Sequence, residues 1–180
     1  MGLDRALKLA SMAGIDRNLA DWQRERDAIF ETLLTQGFDS SIGAYVLSYG
    51  ATALDAAILR LPLLGVIDAT DARMRSTIAQ IERRLVRNSL VHRYLDAEDG
   101  LADGEGTFAI CTFWLVYNYV LQGRLTEAEA LFRHVLSFAN DVGLFAEEID
   151  PVTGEQLDLG AAAVLMDRGD LEAERFNHLG

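Results

Sequence analysis

Three carboxylic acids fall within four positions of one stretch: Glu147, Glu148 and Asp150, between Asn140 and Glu155. Asp150-Pro151 and Gly154 mark turns, so these acids follow a helical segment on a loop. A carboxylate held on such a loop can serve as a general base, provided its position and protonation suit the task. The same spacing also describes a solvated acidic turn, because most exposed Asp and Glu side chains carry out no chemistry. Other residues able to bind or react stand in two further polar stretches. Residues 37–50 hold Tyr45 and Tyr49, and residues 87–105 hold His92, Arg93, Tyr94, Asp99 and Glu105. His92 and His134 read as surface or packing residues, since no metal-ligand spacing accompanies them. The single Cys111 lies in an apolar run and excludes both an internal disulfide and a multi-cysteine zinc site.

Helices must position these residues. Leu3 to Ala13 and Asn18 to Gln36 have helical apolar stripes, the second directing Leu19, Trp22, Ile29 and Leu33 inward. Residues 51–64 read as an apolar helix kinked or ended by Pro62, with Asp55 capping or pairing near its start. Residues 71–86 are amphipathic through Met74, Ile78, Ile81 and Leu85. Residues 106–121 are apolar on every side and call for burial. In residues 126–139, Thr126 and Glu129 suggest a capping box. Short extended pieces are expected near Ala44–Ser48 and Leu90–Leu95.

Half-buried helices (18–36, 71–86, 126–139) thus alternate with apolar ones (51–64, 106–121). That order suits two concentric helical layers. The long connections, 37–50, 87–105 and 140–158, fall on alternate links, which antiparallel helices would gather on one face. Loops on a rigid scaffold are where function concentrates. Aromatic rings, carboxylates and an Arg on one rim suit a carbohydrate site or a peptide-binding groove.

Composition narrows the partners. The chain has 180 residues, 50% hydrophobic and 24% charged, as expected of one globular domain. A net charge of −12 argues against nucleic-acid backbones and anionic membranes. The start lacks an apolar signal segment, and no run of about 18 apolar residues could span a bilayer. The reading is cytoplasmic.

Several stretches together resemble the C-terminal part of the catalytic domain of family 15 glycoside hydrolases, the glucoamylase family with its trehalase members. They include Ser-Tyr-Gly-Ala-Thr-Ala-Leu-Asp-Ala (48–56), Gly-Glu-Gly-Thr-Phe-Ala-Ile-Cys-Thr-Phe-Trp-Leu-Val (104–116), Gln-Gly-Arg-Leu-Thr-Glu-Ala (122–128) and Asn-Asp-Val-Gly-Leu-Phe-Ala-Glu-Glu-Ile-Asp-Pro-Val-Thr-Gly-Glu-Gln (140–156). The resemblance implies an all-α fold, a partial (α/α)6 toroid of alternating inner and outer helices. It also implies inverting hydrolysis of an α-glucosidic bond, with one acid protonating the leaving oxygen and a second activating water. On this resemblance Glu147 is the general base. Arg93 and Tyr94 resemble the Arg-Tyr pair with which the family holds sugar hydroxyls. Glu148 beside the base, and Glu105, Thr107 and Tyr49 on the same rim, are further expected substrate-binding residues, and no cofactor or metal is required.

The family's general acid lies upstream of a segment like residues 3–10. The expectation is therefore one domain corresponding to the C-terminal half of the catalytic domain, lacking its acid, with a divergent tail at 157–180. Such a half-barrel would associate with itself or with the missing N-terminal half. The alternative is a helical-hairpin interaction module, suggested by tetratricopeptide-like helix starts such as Gly-Arg-Leu-Thr-Glu-Ala (123–128). No 34-residue period supports that alternative.

Overall fold

Met74, Thr77, Ile78 and Ile81 recur at helical spacing, and all four are buried. They form the inner face of one of the helices in a computed structural model that describes residues 2–17, 19–95 and 106–157. The chain divides into two compact units. The first runs to Leu85 and includes Tyr94 and Leu95, and the second contains residues 86–93 and 106–157.

In the first unit, α1 (Gly2–Met12) packs on α2 (Leu19–Gln36), with Leu7 and Ala10 buried. The inward face expected for α2 is not buried: Trp22 and Ile29 are exposed, and Leu19 and Leu33 are half-buried. Periodicity identifies an apolar face but not its cover, and within this unit the packing along α2 comes from α1 and β1. The strands β1 (Phe38–Asp39) and β2 (Ala44–Tyr45) form an antiparallel hairpin, pairing Phe38 with Tyr45. The Tyr45 N–H donates to the buried Thr77 hydroxyl at 3.0 Å, tying this hairpin to the fourth helix.

The apolar helix expected over 51–64 is much shorter. A 3-10 turn (Ala56–Leu59) leads into α3 (Arg60–Leu63). Residues before it are drawn into loop hydrogen bonds, Ala51 N–H to the Ser48 carbonyl and Leu47 N–H to the Ala53 carbonyl. Asp55 caps the turn as expected, accepting the Ala57 N–H at 2.7 Å. The fourth helix, α4 (Ala72–Arg84), begins at Asp71, whose carboxylate accepts the Arg73 N–H at 2.8 Å. Arg83 and Arg84 occupy its last turn, where positive charge suits the free carbonyls.

The second unit starts with the antiparallel strands β3 (Val86–Arg87) and β4 (Leu90–Val91). Asn88 and Ser89 both have positive φ, the geometry of a two-residue hairpin turn whose twist matches its strands. The strand expected near 90–95 is thus confined to Leu90–Val91. Next comes β5 (Thr107–Phe108), continuing directly into α5 (Ala109–Leu121). α5 is largely buried, although Tyr117 and Leu121 are exposed.

The turn after α5 leaves no place for the capping box expected at Thr126. Arg124 N–H donates to the Tyr119 carbonyl at 2.9 Å and Gly123 N–H to the Val120 carbonyl at 3.0 Å, a Schellman closure. Gly123 supplies the required positive φ of 73°. The chain then enters α6 (Leu125–Leu136) at once, with Arg124 as its N-cap residue. Thr126 falls inside the helix, and Glu129 pairs with Arg133 at 2.8 Å instead.

α5 and α6 pack together around Leu90, Ala109, Phe113, Val135, Phe145 and Ile149. The strands β6 (Glu148–Ile149) and β7 (Gln156–Leu157) complete a three-stranded antiparallel sheet in the order β5-β6-β7. No helix among the described residues is long and apolar enough to cross a membrane.

Candidate active site

The segment bearing the acids is closed at both ends by local hydrogen bonds. At its start, the Asn140 side-chain oxygen accepts the Val142 and Leu144 N–H groups. At its end, the Asp150 carboxylate accepts the Val152 and Thr153 N–H groups at 2.6 and 2.9 Å. Those two bonds, Thr153's foremost, hold the Asp150 carboxyl below its ordinary range. Asp150 therefore builds the turn that brings β7 back beside β6.

Between these closures the chain is gripped by four consecutive residues, 106–109. Gly106 N–H donates to the Glu148 carboxylate at 2.9 Å. The fully buried Thr107 hydroxyl donates to the Ile149 carbonyl at 2.7 Å. Phe108 pairs with Glu148 across β5 and β6. Ala109, the first residue of α5, donates its N–H to the Glu147 carbonyl at 3.3 Å. This last bond satisfies one of the donors that every helix N-terminus leaves open. The Phe108 N-cap offers no side-chain acceptor, so the acceptor comes from the chain at Glu147.

The three acids thus take three different roles. Asp150 closes a turn and Glu148 holds Gly106. Glu147 is half-buried, its backbone is pinned at the start of α5, and its carboxylate accepts no hydrogen bond among the described residues. Such a group can take a proton from a water molecule.

Of the residues expected to bind sugar, Glu148, Thr107 and Arg93 share the second unit with Glu147. Arg93 is exposed, just beyond β4. Thr107 is buried, with its hydroxyl committed to the backbone. Tyr94 and Tyr49 belong to the first unit. Tyr49 is exposed and lines a cavity of about 460 Å³, together with Tyr45, Leu47 and Asp55. Glu105, Asp99 and the tail beyond 157 lie outside the described residues.

Sequence reasoning missed Gly106. Its ideal Cβ would meet the Leu157 side chain at 3.0 Å, the Ile149 carbonyl at 3.1 Å and Glu148 Cβ at 3.2 Å, so only glycine fits without displacement. The available signal was a glycine directly before an apolar run. His92 is half-buried, and burial lowers its pKa foremost, with the nearby Arg87 charge adding to the effect and a hydrogen bond to the Gly106 backbone opposing it. Among the described residues, no three His, Cys, Asp or Glu side chains could together hold a metal ion.

The chain is similar to known proteins in sequence and in fold. Residues 1–162 match the family described as glycosyl hydrolases family 15. A trehalase from Thermoplasma volcanium is 36% identical over 154 residues, which are 86% of this chain and 25% of that protein. A trehalase from Mycolicibacterium smegmatis is 40% identical over 159 residues, covering 87% of this chain and 24% of its own length. The chain therefore spans about a quarter of the curated relatives it matches. A solved wild-type glycosidase superposes with a TM-score of 0.69 at 21% identity, covering 82% of this chain and 38% of that one. The fold is accordingly mostly helical, that of a partial (α/α)6 toroid with minor strands. By sequence, then, the chain belongs to glycosyl hydrolases family 15, a family of carbohydrate-acting hydrolases.

Proposed function

We propose that this chain carries the base-bearing part of a site that cleaves an α-glucosidic bond with inversion, in an α-glucoside of the trehalose or glucan type. The observation that carries the reading is the division of labour among the three acids: of these, only Glu147 has a carboxylate that accepts no hydrogen bond among the described residues, and its backbone is pinned. Two trehalases at 36% and 40% identity favour trehalose as the first substrate to try. Glu147 removes a proton from a water molecule as that water attacks the anomeric carbon from the face opposite the leaving sugar. The electron pair of the glycosidic bond leaves with its oxygen, which a general acid protonates. Inverting pairs stand roughly 6.5–9.5 Å apart to admit the water. Arg93, exposed beside β4, supplies a cation with a rigid donor fork for sugar hydroxyls.

The family resemblance assigns the general acid to no residue of this chain. The chain by itself is therefore proposed to turn over trehalose weakly or not at all, since general acid catalysis is worth on the order of 10²–10⁴-fold. α-Glucosyl fluoride needs little help in losing its leaving group. Fluoride release from it should be measurable first, and Glu147→Gln should abolish it. Efficient trehalose cleavage by the purified chain would show that an acid is present after all. Fluoride release unaffected by Glu147→Gln would remove Glu147 from the base role.

A further inference from the structure

We propose that Glu148 is a positioning residue rather than a sugar ligand: with Gly106 and His92 it forms a clasp that fixes the backbone of Glu147 at the start of α5. The inference rests on the reading of Glu147 as the base. It starts from a mismatch in the acid pair. Glu148 begins β6 and pairs with Phe108, whereas Glu147 lies in the bend just before the strand, so the two adjacent acids have different backbone settings. The structure shows where Glu148 goes: its carboxylate accepts the Gly106 N–H at 2.9 Å, across 42 positions of sequence. A backbone N–H bonded to a charged carboxylate is among the stronger hydrogen bonds a protein makes.

The half-buried His92 ring also hydrogen-bonds to the Gly106 backbone. Leu157, the Ile149 carbonyl and Glu148 Cβ close in on the side where a Cβ would stand, so the strand packs here only around a glycine. From this fixed point the next three residues grip the acid segment in order. Thr107 holds the Ile149 carbonyl, Phe108 pairs with Glu148, and Ala109 holds the Glu147 carbonyl. If the Glu148 bond is released, the first of these four grips is lost and the strand end is free to lift. The Glu147 carboxylate then loses the fixed angle from which it addresses water. Misplacement on that scale reduces turnover while leaving substrate affinity largely intact.

The test uses the full chain with Glu148→Ala and Glu148→Gln, read in two ways. Amide hydrogen exchange, resolved at Gly106 and Ala109, reports the clasp without any need for turnover. Glu148→Ala is expected to reduce protection at Gly106 by about ten-fold or more, as fits loss of a hydrogen bond to a charged group. Glu148→Gln keeps an oxygen within reach and is expected to retain most of that protection. Hydrolysis of α-glucosyl fluoride supplies the second readout: Glu148→Ala should lower kcat with KM nearly unchanged, and Glu148→Gln should restore kcat. Unchanged Gly106 protection in Glu148→Ala, or a raised KM with kcat intact, would overturn the proposal and return Glu148 to sugar binding. Fluoride release that survives Glu147→Gln would instead defeat the base reading, and the exchange measurement would then judge the clasp alone.

Discussion

Replacing Thr107 by Val removes one hydroxyl and almost no volume from the strap that holds the acid segment. Thr107 is fully buried and its Oγ1 donates to the Ile149 carbonyl at 2.7 Å. Ile149 is itself fully buried, so water does not readily replace the lost donor. A buried acceptor deprived of its partner costs about 1–3 kcal/mol, more than the roughly 0.5–1.5 kcal/mol net worth of an ordinary hydrogen bond. Val fills the space of Thr, so a cavity contributes little. Thr107→Ser makes the opposite trade: it keeps the hydroxyl and loses a methyl group, worth about 0.8 kcal/mol. Thr107→Val should therefore be the more damaging of the two by about 1 kcal/mol. Urea unfolding followed by far-ultraviolet circular dichroism reads this as a lower midpoint with an unchanged slope. If Thr107→Val is as stable as wild type, or more stable than Thr107→Ser, the hydroxyl does not hold the strand and the gripping role of residues 106–109 is refuted.

Three further outcomes follow from other positions. Gly123 has φ of 73° with no atom within 4 Å of an added Cβ, so Gly123→Ala should cost about 1–2 kcal/mol from backbone strain alone. Gly123→Asn should recover part of that in the same unfolding assay. Asp150, whose carboxyl is held low by the Thr153 and Val152 N–H groups, contributes stability present above its unfolded pKa near 4 and lost as pH falls through the lower folded value. Asp150→Asn keeps an acceptor without the charge, so its unfolding midpoint should fall less than that of wild type between pH 5 and pH 3. His92 has the opposite type of group and the same sign of slope: burial lowers its folded pKa, so the unfolded chain takes up a proton first as pH drops below about 6.5. Stability should decline across that window, and His92→Gln should flatten the decline.

The sequence by itself determined what depends on neighbours along the chain. The stripe of α4 was legible because Met74, Ile78 and Ile81 recur at the helical period, and the burial of α5 because nearly every position of 109–121 is apolar. Asp55 as a cap and Asp150 in a turn were legible for the same reason, since each bonds an N–H two or three residues ahead. The family, too, lay in contiguous motifs.

Tertiary structure decided the rest. It left Trp22 and Ile29 of α2 exposed, because an apolar stripe does not name what covers it. It shortened the helix at 51–64, where loop hydrogen bonds outcompeted a helical start, and it replaced the capping box at Thr126 by a Schellman closure. Above all it separated Glu147 from Glu148. Side by side in the sequence, the two are chemically identical. They differ only because Gly106 and Ala109, about 40 positions away, hold the side chain of one and the backbone of the other. A hydrogen bond between distant segments depends on which strands the fold brings together, and no local pattern of residues carries that information.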